Sequence, residues 1–207
     1  MRPRLTDNDM TAIYLASRSP RRRELLTQLG VEHELLLPPP AAGPDEPQLP
    51  GEAAADYVRR TAREKALLGA ETMRLRRLPE RPVLAADTTV ILDAEVLGKP
   101  VDRADAIRIL QRLSGSEHEV HTALAMVCRG QLHEDVSITR VRFRTLAPRD
   151  IERYCDTGEP YDKAGAYGIQ GLGGVFVQHI SGSFTGVMGL PLYETARILA
   201  LAGIVLP

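Results

Sequence analysis

VLAADTTVIL, residues 83–92, is a nearly continuous apolar run interrupted only by Asp87 and two threonines. A run of this kind, beginning at about Arg81, reads as a buried strand. Asp93-Ala94 supplies a turn, and a short return strand ends at Gly98-Lys99-Pro100, so the whole segment predicts a hairpin.

Upstream, Ile13-Tyr14-Leu15-Ala16 reads as a short buried strand that runs directly into a helix from about Pro20 to Leu29. Ser19 suits the N-cap, Pro20 the first helical position, and Gly30 the C-terminal stop. A second strand around Glu34 to Leu37 enters a surface loop, Pro38 to Pro50, with six prolines, and a helix of roughly Glu52 to Ala70 follows.

Downstream, Ile107, Leu110 and Leu113 at helical spacing predict a helix over Arg103 to Leu113, stopped by Ser114-Gly115. Strands around Val120 to Cys128 and Val136 to Phe143 turn at Arg129-Gly130, and Pro148 opens a helix that Gly158 closes. From Gly158 to Gly189 lie nine of the chain's seventeen glycines, around an apolar strand from Val175 to Ile180. Glycine that dense suggests backbone held close to a ligand. A last helix runs from about Leu192 to Ala202. Hairpins interleaved with crossovers predict an α/β fold with a mixed central β-sheet flanked by helices.

The 207 residues are 43% apolar, enough to bury the core of one domain, expected over residues 12–207 behind a disordered tail from Met1 to Thr11. A net charge of −1 provides no general attraction to nucleic acid or an anionic membrane. Cys128 and Cys155 lack the spacing of a zinc site or a disulfide framework and read as two buried thiols. With no secretory signal and no membrane-length apolar run, the expected setting is cytoplasmic.

Arg21, Arg22 and Arg23 occupy the first turn of the first helix, where the macrodipole disfavours cations by about 0.3 to 1 kcal/mol each. A phosphate chain would satisfy both the free N–H groups and a guanidinium fork. The competing reading is a solvated basic face helped by Glu24. Asp87, set within an apolar strand, must be paired, hydrogen-bonded or bound to metal, because burying a lone carboxylate costs several kcal/mol. Lys65 and Lys99 taken singly are ordinary surface lysines. EPYDKAGAYGIQG, residues 159–171, could present backbone amides and the Gln170 amide to a flat polar ligand, or form a structural loop with an Asp-Lys pair. His118 and His121, three apart on a strand, face opposite sides and do not suit joint metal ligation.

Five blocks, LASRSPRRRELLTQLG (15–30), AADTTVILDAEVLGKP (85–100), LSGSEHEVHTAL (113–124), EPYDKAGAYGIQG (159–171) and GSFTGVMGLPLYET (182–195), resemble the signature blocks of the Maf family of nucleotide pyrophosphatases. The resemblance spans the chain from Ile13 onward. It implies a two-lobed α/β fold of the Maf/ITPase-like kind with the active site in the cleft between the lobes, dependence on a divalent cation (Mg²⁺ or Mn²⁺), release of pyrophosphate from a nucleoside triphosphate, and a homodimer.

By the same resemblance, Asp87 matches the acid assigned as proton acceptor, and Ser17, Arg21, Lys65 and Lys99 match phosphate-handling positions. Arg21, Thr88 and Gln170 match positions associated with substrate choice. The DKAGAYGIQG block resembles the subgroup acting on dTTP and UTP, not the one associated with 7-methyl-GTP. Two departures are visible: Ala94 stands where a glycine is common, and the proline loop is longer than usual. The acidic pair of the family then falls on Asp45-Glu46, with Glu46 as a metal ligand beside Asp87. Cations near Asp87 would favour its charged form, so metal ligand and water-orienting group compete with general base as its role. Two other classes remain in view. One is a nucleotide-binding regulator of septum formation with incidental turnover. The other is an RNA-binding domain built on the arginine cluster, which near-neutral charge, nine Phe and Tyr residues and no tryptophan disfavour.

Overall fold

The computed structural model describes residues 12–37 and 47–206. The tail, most of the proline loop and Glu46 lie outside the described residues. Among the described residues seven strands form one mixed sheet: β1 (Ala12–Leu15), β2 (Glu32–Leu35), β3 (Val83–Leu92), β4 (Glu95–Leu97), β5 (Glu117–Cys128), β6 (Gln131–Phe143) and β7 (Val177–Ser181). Their order is β2-β1-β3-β5-β6-β7, with β4 paired to β3. The helices are α1 (Pro20–Gln28), α2 (Ala54–Leu75), α3 (Arg103–Leu113), α4 (Pro148–Asp156), α5 (Phe184–Met188) and α6 (Leu192–Leu201), with 3-10 turns between α4 and β7. No helix among the described residues is long and apolar enough to cross a membrane.

β3 organises the sheet, as its apolar run predicts. One edge pairs antiparallel with β5 from Val83 to Ile91. The other edge is shared. β1 runs parallel to it at Val83 and Leu84, β4 returns antiparallel at Val90 to Leu92, and neither covers residues 85–89. The opening so made contains Asp87 and Thr88.

Alternation along β3 sends its residues into three apolar clusters. Val83 and Ala85 face Val58, Ala62 and Ala66 of α2. On the opposite face Leu84 and Ala86 pack with α1 and α6, through Leu25, Leu26, Ile198 and Leu199. Farther along that face Val90 and Leu92 pack with α3 and α4, through Leu110, Leu113, Ile151 and Tyr154. Thr88 falls between the last two clusters, at a break in the core.

α2 lies close on the sheet because its inner stripe is small. A Cβ at Gly69 would come within 2.8 Å of Val83 and 3.0 Å of Ala16. The helix continues to Leu75 instead of ending near Ala70. Ser19 occupies the N-cap position of α1 as expected but makes no side-chain capping bond. Its backbone N–H instead donates to Ser17 Oγ at 3.2 Å.

The hairpin turn has φ of 52° at Asp93 and 64° at Ala94. Positive φ at both central residues is the backbone of a type I′ turn, where alanine carries a left-handed penalty of about 1 kcal/mol. Ala94→Gly is therefore expected to raise Tm by roughly 2 to 4 °C, read from thermal unfolding of both forms.

Candidate active site

The opening on β3 presents different chemistry on its two faces. On one face the Lys65 ammonium, carried on α2, donates to Asp87 Oδ1 at 2.7 Å. Asp87 is 14% exposed and Lys65 27%, so neither is fully dehydrated. The pairing answers what a carboxylate is doing in an apolar strand. Lys65 sits one helical turn below Thr61, on the face of α2 that meets the sheet, and supplies the countercharge.

On the other face stands Arg22. Its Nη1 donates to the Ala86 carbonyl at 2.7 Å and to Ser17 Oγ at 3.1 Å, its Nε to the Gly189 carbonyl at 2.8 Å, and its Nη2 to Thr88 Oγ1 at 3.2 Å. Ala86 is where β1 no longer accompanies β3, and the guanidinium takes the place of the missing strand. The Thr122 hydroxyl lies 3.0 Å from Thr88 Oγ1 and 2.7 Å from the Gly186 carbonyl. A carbonyl only accepts, so the Thr122 proton points to Gly186 and the Thr88 proton to Thr122. Arg22, Thr88, Thr122 and Gly186 thus form a directed chain of hydrogen bonds from α1 through the sheet to α5.

The three arginines separate because successive helical residues diverge by about 100°. Arg21 donates to Asp162 Oδ2 at 3.0 Å, tying α1 to the 159–171 segment. Lys163 donates to the other Asp162 oxygen at 2.6 Å. Burial raises the proton affinity of Asp162, and the two cations outweigh it, leaving the carboxyl below its ordinary range. Arg23 is exposed.

The same segment meets the hairpin end. Gly165 N donates to the Gly98 carbonyl at 3.0 Å, beside exposed Lys99. Gly165 has φ of 70°, and a Cβ there would lie 2.7 Å from Val90. Gln170 is exposed at the third position of a turn closed by Gly171 N donating to the Gly168 carbonyl at 3.1 Å. Of the residues singled out in the sequence, Asp87 and Lys65 touch, Ser17 and Thr88 meet through Arg22, and Arg21 bridges to the segment that carries Gln170.

Thr122 and the carbonyls of Gly186 and Gly189 were not singled out by sequence reasoning, and Arg22 and Asp162 were read only as members of the arginine run and of an Asp-Lys pair. His118 is buried against Phe143 and Tyr167 and hydrogen-bonded to the Tyr167 hydroxyl at 2.8 Å. Burial lowers its pKa to about 4, so it is neutral near pH 7. His121 contacts Glu119 at 2.8 Å.

No group of three or more His, Cys, Asp or Glu side chains that could hold a metal is found among the described residues. Asp87 nevertheless fits a shared cation, because its Oδ2 has no protein partner among those residues. Mg²⁺ is commonly held by one or two carboxylates together with substrate phosphate oxygens.

A family model described as Maf-like protein matches residues 12–202. A Bordetella parapertussis protein named dTTP/UTP pyrophosphatase is 65% identical over 199 residues, 96% of each chain. Proteins of the same name from Chromobacterium violaceum, 54% identical over 98% of this chain and 100% of that one, and Nitrosomonas europaea, 50% identical over 93% and 95%, also match. The solved Staphylococcus aureus Ham1 protein is 13% identical with a TM-score of 0.39, covering 64% of this chain and 71% of that one, too distant to bear on the site. A family match across nearly all of the described sheet and helices, joined to relatives similar from end to end, places this chain in the Maf-like protein family.

Proposed function

We propose that the protein is a nucleoside triphosphate pyrophosphatase that hydrolyses dTTP and UTP to the monophosphate and pyrophosphate. The observation that carries the reading is the Asp87–Lys65 pair in the uncovered stretch of β3, in a chain 65% identical to a protein of that name. In this reading water attacks the α-phosphorus and pyrophosphate leaves. Asp87 orients the water or accepts its proton, and Lys65 fixes the carboxylate that does so. Ser17, Arg21 and Lys99 offset charge moving onto the departing phosphates. Lys65 shares in this charge compensation.

A divalent cation held by Asp87, with Glu46 as its second ligand, supplies further charge neutralisation when bound. Arg21, Thr88 and Gln170 select the base: the Gln170 amide donates to O4 and accepts from N3–H of uracil or thymine. A homodimer in the cytoplasm belongs to the same reading, with no nucleic-acid or membrane partner.

Release of pyrophosphate from a panel of purine, pyrimidine and methylated nucleoside triphosphates, with and without Mg²⁺ or Mn²⁺, tests the proposal. Metal-dependent turnover concentrated on dTTP and UTP is the expected result. Saturable binding without turnover would instead identify a nucleotide-binding regulator.

A further inference from the structure

The turn that carries Gln170 is folded around a carboxylate of the protein itself. Glu159 stands at the head of the 159–171 segment. Its Oε1 accepts from Gly173 N at 3.0 Å and from the Tyr154 hydroxyl at 2.9 Å, and its Oε2 accepts from Leu172 N at 2.9 Å. The Tyr154 hydroxyl accepts in turn from Gly168 N at 3.2 Å. Gly168 on one side of Gln170, and Leu172 and Gly173 on the other, are therefore tied to one anion directly or through one phenol.

The glycines of GIQGLGG are explained by that anion, by its phenol partner and by the tight turn around them. A Cβ at Gly171 would lie 2.5 Å from Glu159 Oε2 and 2.6 Å from Oε1, and one at Gly173 would lie 2.8 Å from the Tyr154 oxygen. A Cβ at Gly174 would meet the Ile169 carbonyl oxygen at 2.6 Å. Glycine at 171 and 173 makes room for an internal ligand of the backbone and its phenol partner, and glycine at 174 lets the turn close. Burial raises the proton affinity of Glu159, but the N–H groups of Gly173 and Leu172 and the Tyr154 hydroxyl more than reverse it, so the group stays ionised near neutrality. Lys163, which holds Asp162, also donates to the Glu159 carbonyl at 2.7 Å, linking this anchor to the Arg21 bridge.

We propose that Glu159 is a positioning residue for base selection, its carboxylate fixing the turn from which Gln170 meets the base. The proposal rests on the reading of Gln170 given above. Glu159 touches neither Asp87 nor Lys65, so its loss acts on recognition more than on turnover.

Glu159→Gln keeps the shape but turns one acceptor into an amide donor facing a backbone N–H. For dTTP and UTP, KM is expected to rise about tenfold or more, with a smaller change in kcat and a lower preference over purine triphosphates. Hydrogen exchange at Leu172 and Gly173 is expected to accelerate while β3 and β5 keep their protection. Tyr154→Phe, which removes one donor without removing the charge, should shift KM the same way to a lesser extent, and it keeps the test open if the first variant folds poorly. Unchanged KM and base preference in Glu159→Gln would overturn the proposal, as would equal losses in kcat and KM with exchange accelerated across the sheet. Gln170→Ala is the control on the underlying reading. If it leaves base preference intact, Gln170 does not read the base, and faster exchange in Glu159→Gln would then mark a fold anchor only, which also overturns the proposal.

Discussion

Asp87→Asn is expected to lower kcat/KM for dTTP and UTP by about a thousandfold while leaving the fold intact, within the 10² to 10⁴ range typical of a positioned acid or base. Asparagine is nearly isosteric, and its carbonyl oxygen can still accept from Lys65, now at 2.7 Å from Oδ1. What is lost is the negative charge and the second acceptor, the two properties shared by a proton acceptor and a metal ligand. The residual activity separates these roles. A general base predicts unchanged metal affinity and a changed pH profile; a metal ligand predicts that higher Mg²⁺ or Mn²⁺ concentration partly restores the rate. Near-wild-type turnover in the variant would remove Asp87 from the reaction altogether.

Arg22→Ala is expected to have the largest effect on stability. The guanidinium serves the carbonyls of Ala86 and Gly189, both buried, besides two hydroxyls. An unsatisfied buried carbonyl costs about 1 to 3 kcal/mol, so the loss should total roughly 4 kcal/mol. At this chain length that corresponds to a fall in Tm of about 8 to 16 °C. Arg22→Lys can reach only part of the set from a single ammonium and should recover less than half. Arg21→Ala removes one ion pair with a largely exposed carboxylate, worth about 0 to 1 kcal/mol, and should leave Tm nearly unchanged while raising KM. Thermal unfolding beside steady-state kinetics for the three variants therefore tells the adjacent arginines apart. Equal Tm for Arg21→Ala and Arg22→Ala would contradict the roles assigned to them.

The sheet was legible where hydrophobic pattern carried it. Residues 83–92 announced β3, and α3 has the bounds its apolar spacing predicts. β5 and β6 begin earlier than expected, at Glu117 and Gln131, because polar residues such as Gln131 and Glu134 are recruited by backbone pairing with β5 and carry no apolar signal. α5 and the 3-10 turns are too short for periodicity and are held by tertiary bonds, such as Thr122 to the Gly186 carbonyl. In the site, the buried acid Asp87 stood out by its misfit, and its partner Lys65 did not. Three consecutive arginines look alike in one dimension; only the helix sends Arg21 to Asp162 and Arg22 into the sheet. Glu159 was hidden for the opposite reason, because an acid before a proline in a loop has no misfit to notice.

β3 and β5 run unbroken past the opening, from one apolar cluster to the next, with β6 paired along the whole of β5. Walls rooted in a shared spine cannot swing together like jaws, since closing them would mean twisting every hydrogen-bonded ladder at once. In the site proposed here, room for nucleotides of different size would come from the Arg21–Asp162 bridge, the 3-10 turns and the tip at Gln170. On that proposal the enzyme would discriminate as a rigid gauge with adjustable stops, its selectivity open to retuning there without disturbing the spine.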